Sequence, residues 1–148
     1  MKVRVPRRRL EAWLRALEAV EALAREARRA LGRVSVLLHG SYARGDFNIW
    51  SDIDAIVVSE AFEGVRVLDR YDLISETPPG VELVPMTPGE LRASIEKPAW
   101  RHALKRGVVI VVDDLNVERL LRSAGIEPIT LEELRSRIKK LMGSTVEV

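Results

Sequence analysis

Apolar and polar positions alternate in two different rhythms along this chain. Leu10, Trp13, Leu14, Leu17, Val20, Ala24, Ala27 and Leu31 recur at helical spacing, which puts them on one face of an amphipathic helix. Pro6 suits its start and Gly32 its end, so the pattern predicts a long helix over 7–31. Glu11 with Arg15, and Glu21 with Arg25, stand four apart and predict ion pairs on its outer face. Four short apolar runs follow, at 34–38, 52–58, 81–85 and 108–112, and each reads as a strand. The last is apolar throughout, as expected of a strand buried on both faces.

Turn and cap signals divide these runs. Gly40 ends the first strand, and Ser41 to Arg44 can open a short helix. A helix from Val67 onward fits the less regular stretch at 62–75, and Pro78-Pro79-Gly80 is a turn. Thr87-Pro88-Gly89-Glu90 has the form of a capped helix start. Further helices are predicted at 98–106, 117–123 and 130–142. Strands interleaved with helices give an α/β or α+β sandwich.

Composition narrows the class. The chain has 148 residues, 47% of them hydrophobic and 31% charged, which predicts one soluble domain over 1–148 with its core at about 34–113. Its C-terminal helices then fall within 115–142. No apolar run approaches the roughly 20 residues of a membrane span. The basic start (Lys2, Arg4, Arg7, Arg8, Arg9) is not followed by a signal-peptide core, which predicts a cytoplasmic protein. With no cysteine, disulfides and thiolate metal sites are excluded. Two histidines, His39 and His102, are too few for a histidine-rich zinc site. The net charge of +2 does not demand a nucleic-acid partner, although Arg7-Arg8-Arg9 could touch one; a solvated helix start is the simpler reading.

Candidate chemistry is concentrated at Gly40-Ser41-Tyr42-Ala43-Arg44-Gly45 and Ser51-Asp52-Ile53-Asp54-Ala55-Ile56-Val57-Val58. Asp52 and Asp54 are two apart on a strand, so their carboxylates project together. Side by side they repel unless a cation lies between them, and hard oxygens of this kind suit magnesium. Gly40 lets backbone N–H groups approach a phosphate, and the Ser41 hydroxyl can donate to one. A third carboxylate is expected from a neighbouring strand. Glu82 fits, because Val81 and Leu83 turn the other way.

These motifs in this order resemble the DNA polymerase beta-like nucleotidyltransferase superfamily, in its minimal (MNT) branch. Val84-Pro85-Met86-Thr87-Pro88-Gly89-Glu90-Leu91 and Ala103-Leu104-Lys105-Arg106-Gly107-Val108-Val109 extend the likeness. The resemblance implies a nucleotidyltransferase fold, with a mixed sheet of about four strands backed by helices. It implies transfer of a nucleoside monophosphate, AMP from ATP, to an acceptor hydroxyl, with one or two Mg2+ ions. By that likeness Asp52, Asp54 and Glu82 are metal ligands and catalytic groups, and Glu82 stands where many members have Asp. Gly40 and Ser41 take the phosphate-binding role. Arg44 falls at the family arginine; it contacts phosphate or pins the loop through Asp46. Short members of this branch frequently work with a helical HEPN-type partner, in the best understood pairs a toxin that they neutralise by adding AMP. That implies an antitoxin role. Transfer to a small hydroxylated molecule, or partner binding without catalysis, are the alternatives.

Some residues keep two readings. His39 is either a partly buried strand-end histidine or a phosphate contact. Trp50, beside the aspartates, either stacks on a nucleobase or packs against the first helix. The apolar stripe of that helix is covered by the sheet or by a second copy of the chain, which leaves a homo-oligomer open.

Overall fold

The computed structural model describes residues 5–143. The long helix forms as its periodicity predicts: α1 runs Arg7–Leu31, about 38 Å at 1.5 Å per residue. Its last turn is closed by the Gly32 N–H, which donates to the Arg28 carbonyl at 2.9 Å. Then follow β1 (Ser35–His39), α2 (Ser41–Arg44) and β2 (Ile53–Val58). A four-residue helix α3 (Val67–Arg70) and a 3₁₀ turn at Tyr71–Leu73 lead into β3 (Val81–Met86). The chain continues through α4 (Pro88–Glu96), α5 (Pro98–Arg106), β4 (Val108–Asp113), α6 (Val117–Ser123), β5 (Ile129–Thr130) and α7 (Leu131–Met142).

The sheet order is β3-β2-β1-β4-β5. β1 pairs antiparallel with β2 and with β4, while β3 runs parallel to β2 and β5 parallel to β4. The sheet is therefore mixed, as expected, but has five strands rather than four. The fifth is only two residues long, too short for any alternation to reveal. Thr130 ends it and also caps α7, its side chain accepting from the Glu133 N–H while Glu133 reaches back to the Thr130 N–H.

Alternation along the strands sorts residues to two layers. Leu38, Ile53 and Val109 face α1 and α7, packing with Leu10, Leu17, Leu131, Leu134 and Ile138. Leu37, Ile56, Val58 and Ile110 face the other way, with Leu91, Leu104 and Leu121 of α4, α5 and α6. The sheet thus covers the apolar stripe of α1 within one chain. The predicted pairs on the outer face of α1 are replaced. Glu11 accepts from Arg7 rather than pairing with Arg15. Glu21 accepts from Arg135 of α7 rather than pairing with Arg25, and so ties two helices that share a face of the sheet.

α3 and α4 are joined by a buried arginine. Arg70 is 6% exposed, and its guanidinium donates to the carbonyls of Val65 and Pro85 and to both oxygens of Glu90. The Glu90 carboxylate in turn accepts from the Thr87 N–H, closing a capping box at the start of α4. Arg70 is thereby the anchor that fixes the loop after β2 against β3.

Candidate functional site

β1 ends in an unusual turn. Gly40 has φ 75° and ψ −155°, a conformation that only glycine adopts without strain. A Cβ built there would stand 2.4 Å from Asp54 Oδ2. The missing side chain is what allows the Asp54 carboxylate to lie flush against the turn that opens α2.

Strand register gathers the other groups. Asp54 is paired with His39 across β1 and with Glu82 across β3, so the three lie in one row on one face of the sheet. Asp52, two residues before Asp54, projects to that same face. Glu82 hydrogen-bonds Asp52 and feels the negative charge of both aspartates, and its carboxyl is held above the usual range for those reasons in that order. The expectation that Glu82 lies beside the aspartates rests on this pairing, and the register supplies it.

Whether these residues suit a divalent ion turns on two observations. The donors are hard carboxylate oxygens that repel one another, and the Gly40 cradle leaves Asp54 room at the turn. Against this, among the described residues no group of three or more His, Cys, Asp or Glu side chains stands in an arrangement that could hold a metal ion. The donor chemistry of Asp52, Asp54 and Glu82 suits a divalent ion, but the three do not stand in the arrangement of a three-ligand site.

His39 is half-buried, and its ring stands 5.7 Å from that of Trp100. Burial lowers its affinity for a proton, with Asp54 opposing and Arg44 adding to the effect. Its Nε2 is buried with no hydrogen-bond partner. Arg44 is engaged with the loop: its Nε donates to Asp46 Oδ1 and Oδ2 at 3.2 and 3.1 Å. The arginine also holds Asp46 below the usual carboxylate range.

Trp50 does not pack on α1. It is 86% exposed, beside Ile49 at 76%. The loop that carries them is braced from within, since the Trp50 N–H donates to Asn48 Oδ1 and the Asn48 N–H to Ser51 Oγ, both at 2.9 Å. The place near α1 is filled by Phe47, which stacks on Tyr42. At the basic helix start Arg7 and Arg8 are exposed, as the solvated reading has it, and only Arg9 turns inward. Arg9 donates to the Gly45 carbonyl and Trp13 to the Tyr42 carbonyl. Neither contact had a sequence signal, because the partners lie 36 and 29 residues away.

The nucleotidyltransferase domain model matches residues 20–141. A crystal structure of a Sulfolobus solfataricus protein, described as a candidate nucleotidyltransferase, superposes with a TM-score of 0.52 at 26% identity. The match covers 57% of this chain and 78% of that one. No protein with a curated description matches the chain.

Proposed function

The chain belongs to the nucleotidyltransferase domain family, and we propose that it is a magnesium-dependent enzyme that moves AMP from ATP onto a hydroxyl of a helical, HEPN-type protein partner. The observation that carries this is the acidic row seated on the Gly40 turn: Asp54 against the glycine, with Glu82 and Asp52 beside it. In the reaction, the acceptor oxygen bonds to the α-phosphorus as the bond to pyrophosphate breaks, and the hydroxyl proton passes to a carboxylate. Glu82, in the same row as the aspartates, either joins them as a ligand or accepts that proton. Gly40 and Ser41 would hold the triphosphate, and Asp52 and Asp54 would hold the magnesium beside it. Bound magnesium supplies neutralisation of the charge that develops on the phosphate oxygens.

A protein acceptor is favoured by the surface next to the site. Ile49 and Trp50 offer two large apolar side chains to solvent, two residues or so before the first aspartate, on a turn that hydrogen bonds keep in shape. A docking protein would cover them. Among the described residues no helix is long and apolar enough to cross a membrane.

The test is incubation of the protein with magnesium, each triphosphate in turn and the product of the adjacent gene, followed by intact-mass measurement. One nucleoside monophosphate should be added to the partner with ATP. Asp52→Asn and Asp54→Asn should each abolish the addition. A second reading, a non-catalytic module that neutralises its partner by contact, draws on the absence of a ready three-ligand metal arrangement among the described residues. It requires that neutralisation survive both substitutions and that no mass be added.

A further inference from the structure

α2 has only four residues, and one helical turn does not sustain itself, because nucleation costs more than its hydrogen bonds return. Carbonyls at its C-terminal end lack partners within the helix. α1 supplies them. Trp13 Nε1 donates to the Tyr42 carbonyl at 2.7 Å, and Arg9 Nη2 donates to the Gly45 carbonyl at 2.8 Å.

The same two side chains close on the turn from the side. The Arg9 guanidinium lies 4.0 Å over the Phe47 ring. Phe47 stacks on Tyr42 with centroids 4.3 Å apart and planes within 14°, and Trp13 tilts against Phe47 at 5.7 Å. Gly45 is part of the fit, since a Cβ there would stand 2.7 Å from the Trp13 ring. At its other end the turn meets Asp54 through Gly40. α2 is therefore gripped between α1 and the carboxylate strand. Arg9 and Trp13 both precede residue 20, where the family match begins, so the grip comes from a part of the chain outside the matched domain.

We propose that Arg9 and Trp13 are positioning residues for nucleotidyl transfer: they fix the Gly40-Ser41 turn against Asp54 and so set how tightly the triphosphate is held. This rests on the reading of the site given above. The loss of either contact loosens the turn without touching the carboxylates.

The experiment compares four variants with the wild type. Trp13→Phe keeps a ring but removes the N–H donor. Arg9→Met keeps the stem but removes the cation and its donors, and Arg9→Lys restores a cation. Arg28→Met is the control, because Arg28 holds Asp114 from the same helix, away from the turn, through two hydrogen bonds. Magnesium-ATP binding is measured by calorimetry, with KM, kcat and Tm alongside. Trp13→Phe and Arg9→Met should each weaken ATP binding about two- to tenfold, the equivalent of one net hydrogen bond. The change should fall on KM, with Arg9→Lys recovering part of it. Arg28→Met should lower Tm without altering ATP binding. If the wild type binds ATP and the two variants bind it equally well, or lose affinity only to the extent that Arg28→Met does, the positioning role is overturned. A wild type that binds no ATP would overturn the reading of the site, and the positioning role with it.

Discussion

Gly40→Ala tests the contact on which the site is built. The new Cβ meets two separate penalties. The backbone, at φ 75° and ψ −155°, lies in a region essentially reserved for glycine, which costs roughly 1–3 kcal/mol. The Cβ would also stand 2.4 Å from Asp54 Oδ2, well inside normal contact, so the carboxylate or the turn must retreat. Overpacking of this kind costs about 1–3 kcal/mol more. Gly32→Ala separates the two. Gly32 has φ 81° and ψ −126°, and a Cβ there meets nothing within 4 Å. It carries the strain without the clash. At about 2–4 °C per kcal/mol for a chain of this size, Gly40→Ala should lower Tm by roughly 2–12 °C beyond Gly32→Ala. Thermal unfolding followed by circular dichroism gives both values under one condition. Nucleotidyl transfer should be lost in Gly40→Ala and kept in Gly32→Ala. Equal melting temperatures for the two variants, with transfer intact in both, would refute the claim that the turn and Asp54 share one space.

Other outcomes follow from the same contacts. The Glu82 carboxyl is raised by Asp52 and Asp54, so the folded protein holds that proton more tightly than the unfolded chain. Its stabilising contribution is present below the ordinary glutamate range and is lost as pH rises through the raised value. Melting curves across that interval should therefore show Glu82→Gln gaining on the wild type as pH rises, and saturating magnesium should narrow the gap; parallel curves would contradict it. Arg70→Ala strands two carbonyls and Glu90, and should cost about 2–3 kcal/mol in urea unfolding with little change in m value. Trp50→Ala removes a side chain that is 86% exposed, so Tm should hold within about 1–2 °C, consistent with surface changes near ±0.5 kcal/mol. Transfer to a protein acceptor should fall in that variant while ATP affinity stays unchanged.

What could be read from the sequence was what repeats locally. The stripe on α1, bounded by Pro6 and Gly32, fixes that helix at both ends, and the cap at Thr87 follows from residues within one turn of each other. Asp52 and Asp54 share a face because strands repeat every two residues. Glu82 needed one more step, the adjacency of β2 and β3. The apolar alternation of Val81 and Leu83 set its facing, but only the parallel register Asp54↔Glu82 brings the groups together. β5 was illegible because two residues cannot show a period.

The misreadings share a physical cause. Glu21 and Arg25 stand at the right spacing on α1, yet Glu21 binds Arg135, 114 residues away. An exposed pair at that spacing is worth only a few tenths of a kcal/mol, so any partner fixed by tertiary packing displaces it. Arg9 makes the same point from the cost side. A cation in the first turn of a helix opposes the helix dipole, and α1 has no acidic residue there to offset it. By local rules Arg9 is a small loss with no return. The return is non-local: a carbonyl that a four-residue helix leaves without a partner, and the face of an aromatic ring. A residue that is wrong for its own element is therefore a pointer to a contact elsewhere in the fold. Here it points to the turn that carries the proposed phosphate-binding residues.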